Sequence, residues 1–343
     1  MAEDVVRFGI VGGGVIAGTH INAVVASPHA EFAGVADVRE EAGRKIAEEH
    51  GVPFTTDYRE MIASGDVDVL SVLTPSGLHA EVAITAAEHG VHVLVEKPME
   101  ITLDQCDRMI GACRRKGVKL GVVFQQRASD VGVRVREAVQ SGVLGRLTLG
   151  QASLKHYRSQ AYYNTAEWRG TWALDGGGAL MNQGIHAIDF LLWVMGDVKR
   201  VFAKADHLVR DIEVEDTAVA VLEFAGGAFG TIDGTTSTNP GEPISYAFHG
   251  SKGTILGRPG AITKWAVTDD PEKKAEPVED LAELNSEREV TGHNWLVEDM
   301  ALAVLEDRDP FITGESGRKS VELILAIYKS AQTGLEVELP LTK

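Results

Sequence analysis

A chain of 343 residues with 44% hydrophobic and 6% aromatic residues has enough apolar material for packed cores, in two domains of ordinary size or one large one. Its formal net charge of −17 would repel a long polyphosphate, which argues against a nucleic-acid partner. No apolar run reaches the roughly 20 residues of a membrane span, and the opening residues show no basic stretch leading into a long apolar one, so a cytoplasmic protein is expected.

Residues 1–124 alternate short apolar runs with amphipathic ones. Strands are predicted at 6–11, 31–37, 69–73, 91–95 and 119–124, and helices near 15–26, 39–49, 77–89 and 102–116. Gly51, Gly90 and Gly117 follow three of these helices as stop signals. Cys106 and Cys113, the two cysteines, lie about two turns apart on the last helix, too far for a disulfide and as expected in a reducing compartment. Strands alternating with helices imply a doubly wound parallel sheet, an α/β domain over 1–124.

From residue 125 the texture changes. A helix is predicted near 129–140, then longer strands at 145–157, 198–209, 214–224, 228–238, 244–249 and 262–267, with a helix at 183–195 between the first two. "GGAFGTIDG" and "HGSKGTILG" read as hairpin and turn chemistry. Residues 269–289 hold twelve charged residues in twenty-one and read as a solvated loop, and the tail ends in an amphipathic helix closed by Gly334. Strands in such succession imply a mostly antiparallel sheet, so 125–343 is expected to be an α+β domain.

The first strand runs into "GIVGGGVIAGTH". Gly12, Gly14 and Ala17 make G-x-G-x-x-A, with Val15 and Ile16 in the same turn. Gly12 permits the tight bend, Gly14 lets backbone approach a pyrophosphate, and small Ala17 lets the helix sit close to the strand. Asp37, at the end of the second strand, is placed to bond a ribose 2′-hydroxyl, which favours NAD over NADP. Arg39 keeps NADP possible, since an arginine could reach a 2′-phosphate. Ligands of such sheets bind beyond the carboxyl ends of the strands. There the chain sets Thr74, Pro75, Ser76 and His79, then Glu96, Lys97 and Pro98, then Gln125. A strand stop explains any one of these groups and explains all of them together badly, so Lys97 is expected to face the cofactor.

Four motifs now stand in order: G-x-G-x-x-A-x-x-H (Gly12 to His20), T-P-x-x-x-H (Thr74 to His79), E-K-P (Glu96 to Pro98) and G-G-G-x-L-x-x-x-G-x-H-x-x-D (Gly176 to Asp189). Together they resemble the glucose–fructose oxidoreductase and inositol dehydrogenase family, Gfo/Idh/MocA. The resemblance implies an N-terminal Rossmann domain and a C-terminal domain with a large open sheet, through which copies pair into homodimers or homotetramers. It also implies hydride transfer between NAD or NADP and a hydroxyl or keto carbon of a sugar, an inositol or a nucleotide sugar. Lys97 matches the family's E-K-P lysine, between nicotinamide and substrate, and His186 the histidine after the triple glycine. Where the family often has aspartate, four residues before that histidine, this chain has Asn182, which carries neither a negative charge nor a titratable proton.

Removing hydride from a carbinol carbon requires the hydroxyl proton to leave, and a base near neutral pKa suits this. His186 fits without adjustment; Lys97 would need burial or a cationic neighbour, or would act electrostatically on the developing alkoxide. His186, Lys97 and Asn182 are therefore the catalytic candidates. Tyr157 and Trp172 are candidate pocket walls for a polyol or sugar. Asp189 would orient the His186 ring or face solvent, His20 would pack beneath the glycine turn, and no His/acid spacing suggests a metal site. The competing readings are an NAD-dependent glycosidase and a non-catalytic dinucleotide sensor.

Overall fold

The computed structural model describes residues 5–342. In chain order its elements are β1 (Val6–Val11), α1 (Ala17–Ala26), β2 (Ala30–Ala36), α2 (Glu40–His50), β3 (Phe54–Thr55), α3 (Tyr58–Ser64), β4 (Val69–Val72), α4 (His79–Glu88), β5 (His92–Val95), α5 (Leu103–Lys116), β6 (Leu120–Val122) and α6 (Asp130–Gln140). They continue with β7 (Leu147–Lys155), α7 (Gln160–Tyr163), a π-helical turn (Ala179–Gly184), α8 (Ile185–Met195), β8 (Val198–Asp206), β9 (Thr217–Phe224), β10 (Phe229–Thr235), β11 (Ser245–Gly250), β12 (Gly253–Arg258), β13 (Ala261–Val267), α9 (Gly292–Leu305), α10 (Gly314–Thr333) and β14 (Val337–Glu338).

One unit comprises residues 5–125 and 290–318. Its six strands are all parallel, in the order β3-β2-β1-β4-β5-β6. β4 is buried along its whole length, as strands covered on both faces must be. Register sets Ala36, Val11, Val72, Val95 and Val122 side by side, so five strands end in one row. β3, α3 and α9 escaped the sequence reading. So did the place of 290–318, which was assigned to the domain 125–343. α9 packs on α1, β1, β2 and β5 and buries Leu296, Val297, Met300, Ala301 and Ala303. The chain beyond it bonds β6 through Val122 N–H to Ile312 O (2.9 Å). This apolar burial holds the segment in the first unit.

The other unit comprises residues 126–289 and 319–342. Its eight-stranded sheet, in the order β13-β12-β11-β7-β10-β9-β8-β14, is antiparallel except where β7 meets β10. β12 was read as turn chemistry because glycines flank it. One face buries Ala218, Ala220, Leu222, Ile232, Ala152 and Leu154, with α8 packed against β7. The alternate positions Phe202, Val219, Val221 and Phe229 share the opposite face and are exposed. Residues 269–289 contain no helix or strand, as expected. Among the described residues no helix is long and apolar enough to cross a membrane.

Asp189 neither orients a ring nor faces solvent. It is buried on α8 and accepts from Arg127 Nε (2.7 Å), a terminal nitrogen of Arg127 (2.5 Å) and Ser320 Oγ (2.7 Å). Breaking one side of such a pair strands a buried charge. Asp189→Ala is therefore expected to cost about 3–5 kcal/mol in urea unfolding, and the double change Arg127→Met with Asp189→Leu distinctly less. Equal losses for the single and double variants would show that the pair does not act as a unit.

Candidate active site

The bend after β1 works only with glycine. Gly12 has φ +103°, and a Cβ there would stand 2.7 Å from the Leu73 carbonyl oxygen. Gly14 borders open space on its Cβ side, room for a ligand to approach backbone. Val15 is 97% exposed at the tip and Ile16 half-buried, while Ala17 is buried at the start of α1.

Asp37 follows β2 with its side chain buried. Its carboxylate accepts from Gly13 N–H (2.6 Å) and from Arg39 through the backbone N–H (2.7 Å), Nε (3.2 Å) and a terminal nitrogen (2.9 Å). Burial alone would push this carboxyl up, but the Arg39 side-chain and backbone bonds and the Gly13 amide hold it below its ordinary value. Arg39 is thereby engaged by a carboxylate, which speaks against its reaching for a 2′-phosphate.

The rest of the strand row carries polar groups. Thr74 Oγ1 and Gln125 Oε1 are buried and make no hydrogen bond among the described residues. Pro75 and Ser76 begin a short 3₁₀ turn into α4, whose first residue, His79, is buried. Glu96 is buried at the end of β5. Its Oε1 meets His20 Nε2 (3.0 Å) and His293 Nε2 (3.3 Å), and its Oε2 accepts from the Lys97 N–H (3.1 Å). Burial opposes ionisation, yet the His20 and His293 bonds and the nearby Lys97 charge hold Glu96 well below the usual carboxylate range. Lys97 itself is half-buried. His20, Glu96 and His293 are the one group among the described residues whose ligand atoms could gather round a metal ion. These atoms already bond each other, and His20 Nδ1 lacks the outer hydrogen bond that steadies a ligating imidazole. An open backbone cradle, a ribose-side carboxylate and buried polar atoms on the strand row fit a dinucleotide.

The second unit builds a turn around the triple glycine. A Cβ on Gly177 would lie 2.1 Å from the Tyr328 hydroxyl, and one on Gly178 would lie 2.0 Å from the Glu215 carbonyl oxygen. The buried Glu215 carboxylate accepts from Gly178 N–H (2.9 Å), Leu180 N–H (2.8 Å) and Tyr328 O–H (2.9 Å). Burial pushes its pKa up to about 7 against those three donors. The turn presents Asn182, and His186 follows on the first turn of α8; both are half-buried. Asn182 Nδ2 donates to buried Asp175 (2.5 Å), and its Oδ1 accepts from Gln183 Nε2 (2.5 Å). Gln183 Oε1 in turn accepts from Arg158 (2.8 and 3.2 Å), and its Nε2 reaches the Tyr162 hydroxyl (3.1 Å), which also takes a bond from Arg169 (2.7 Å). A carboxylate thus stands one hydrogen bond from Asn182, at Asp175 rather than at 182 itself. Tyr157 lies under the Arg210 guanidinium (5.3 Å), and Trp172 stands edge-on to Tyr328 (5.3 Å); both are 42% exposed.

Sequence reasoning missed Glu215, Asp175, Gln183 and His293. Asp175 immediately precedes the triple glycine and was open to notice. Glu215 and His293 reach their partners only through the fold, and nothing local marks them.

Residues 6–124 match the family model described as "Oxidoreductase family, NAD-binding Rossmann fold", and residues 133–256 match the "GFO/IDH/MocA C-terminal domain". With the cradle above, this makes the protein an NAD-binding oxidoreductase, of the dehydrogenase class acting on CH–OH groups. The chain belongs to the GFO/IDH/MocA family. It is similar to the WlbA dehydrogenase of Bordetella pertussis, solved with NADH and UDP-GlcNAcA, at 36% identity over 98% of this chain and 100% of that one, with a TM-score of 0.89. The Chromobacterium violaceum WlbA structure, also with NADH and UDP-GlcNAcA, is 32% identical over 100% of this chain and 98% of that one, with a TM-score of 0.91. Myo-inositol 2-dehydrogenase of Thermotoga maritima is 28% identical, with 97% of this chain and 98% of that one covered. Neither competing reading from the sequence, glycosidase or sensor, gains support from these relatives.

Asp37→Ala is expected to weaken NAD binding more than NADP binding, read by quenching of intrinsic tryptophan fluorescence. Equal weakening of both would remove Asp37 from cofactor choice.

Proposed function

We propose that the protein oxidises a hydroxyl of a carboxylated nucleotide sugar of the UDP-GlcNAcA kind. The observation that carries this reading is the full-length likeness, at 32–36% identity, to two dehydrogenases solved with NADH and that sugar. The second unit adds physical support: Arg158 and Arg169 are gathered by hydrogen bonds around Gln183 and Tyr162, beside the turn of Asn182, in a chain of net charge −17. Guanidinium groups suit a carboxylate or a phosphate.

NAD supplies the hydride acceptor when bound, held by the Gly12–Ala17 turn and Asp37, with Thr74, Pro75, Ser76, Glu96 and Gln125 around it and buried His79 behind them, its ring turned to the Thr74 and Pro98 carbonyls. His186 serves as the base that takes the hydroxyl proton, since an imidazole titrates near neutrality. Lys97 relays that proton or stabilises the developing alkoxide. Asn182, its amide oriented by Asp175, holds a substrate hydroxyl, and Tyr157 and Trp172 lend aromatic faces to the sugar. A second copy of the chain is the partner expected on the exposed sheet face of Phe202, Val219, Val221 and Phe229, and the cytoplasm is the expected compartment.

Absorbance of the reduced cofactor, followed with NAD and a panel of UDP-GlcNAcA, UDP-GlcNAc, free hexuronates and inositols, tests the substrate. Turnover with UDP-GlcNAcA well above the rest supports the reading; preference for an uncharged sugar or inositol rejects it. Lys97→Ala is expected to lower kcat roughly 10²–10⁴-fold with NAD affinity largely kept, whereas unchanged turnover would take Lys97 out of the chemistry.

A further inference from the structure

His79 opens α4 with its imidazole buried between two backbone carbonyls. Nδ1 lies 2.9 Å from Pro98 O, and Nε2 lies 2.8 Å from Thr74 O. A carbonyl oxygen only accepts, and a neutral imidazole carries a single N–H in either tautomer. A neutral His79 would therefore press a ring lone pair against a carbonyl lone pair on one side. Turning the ring over would replace both contacts with C–H groups. The form that satisfies both neighbours at once is the imidazolium.

Such a charge needs a counter-charge inside the protein. Burial holds the His79 pKa below its ordinary value although the Thr74, Pro98 and Met99 backbone and the Glu96 carboxylate push the other way; against that direction, the two facing carbonyls favour a proton on each ring nitrogen. The charged and titratable groups that bear most on that carboxylate are His20 on α1, His293 on α9 and Lys97. His20 meets Glu96 through Nε2, and its buried Nδ1 makes no hydrogen bond among the described residues, so a single N–H satisfies its ring. His293 also directs Nε2 at Glu96. Of the buried His20 and His79, His79 is the one whose two ring nitrogens both face acceptors.

We propose that His79 is a standing imidazolium, a positioning residue that clamps the carbonyls after β4 and β5 and thereby fixes the backbone carrying Lys97. The clamp spans Thr74, beyond β4, and Pro98, the residue after Lys97. The positioning half of the proposal rests on the reading of Lys97 given above; the charge state does not.

The test is imidazole nitrogen NMR of the intact protein labelled with ¹⁵N-histidine. The His79 signals are assigned with His79→Gln or, should that variant not fold, by through-space contacts to Ala80. The expected result is a directly bonded proton on both His79 nitrogens, with no titration between roughly pH 6 and 8. One bare nitrogen at neutral pH overturns the proposal. On the kinetic side, His79→Gln is expected to lower kcat by up to about 10²-fold, as small misplacements of reacting groups do, with KM for NAD moving much less. A doubly protonated His79 whose replacement leaves kcat unchanged overturns the positioning role. Failure of the Lys97 reading would show separately, as full turnover in Lys97→Ala.

Discussion

The first unit depends on one buried carboxylate. Glu96 ends β5 with no solvent to stabilise its charge, and an unpaired carboxylate in that position would cost several kcal/mol. Its two oxygens are instead divided among three elements. α1 supplies His20, α9 supplies His293, and the Lys97 N–H closes the set. One charge therefore ties the glycine-turn helix, the strand row and a helix almost two hundred residues away in sequence to the backbone of Lys97. The price of burying it explains why polar residues crowd an otherwise apolar interior.

A parallel solution appears in the second unit. Glu215 is buried too, and three donors meet it, two of them backbone N–H groups of the glycine turn. The triple glycine is short of side chains because Tyr328 and the Glu215 backbone occupy the space where Cβ atoms would go. The turn they shape holds Asn182, whose amide is fixed at one end by Asp175 and at the other by Gln183. In both units a buried acid shapes backbone, and that backbone presents a polar side chain, Lys97 in the first and Asn182 in the second.

Much of this was legible in the chain. The five main strands of the first unit and their helices fell where periodicity put them, because strands buried on both faces leave unbroken apolar runs. The glycine turn and Asp37 were legible because each obeys a local rule of backbone or charge. What escaped were elements too short or too mixed to carry a period: β3 and β14 with two residues each, α7 with four, α3 with seven, β12 between glycines, and α9, whose apolar residues run nearly all round the helix. Asp189 was misjudged for a different reason. Its partners, Arg127 and Ser320, lie 62 and 131 residues away, and no spacing on α8 could have announced a buried ion pair.

By itself the sequence determined the class of fold, the cofactor turn and the family, since local conformation and motif order suffice for these. Tertiary structure alone decided which carboxylate serves which group: Glu96 to two histidines, Glu215 to the glycine turn, Asp175 to Asn182, Asp189 to Arg127. The reason is physical. Backbone preferences act over a few residues, whereas a buried charge is tolerated only where distant donors converge, and that convergence exists only once the chain has folded.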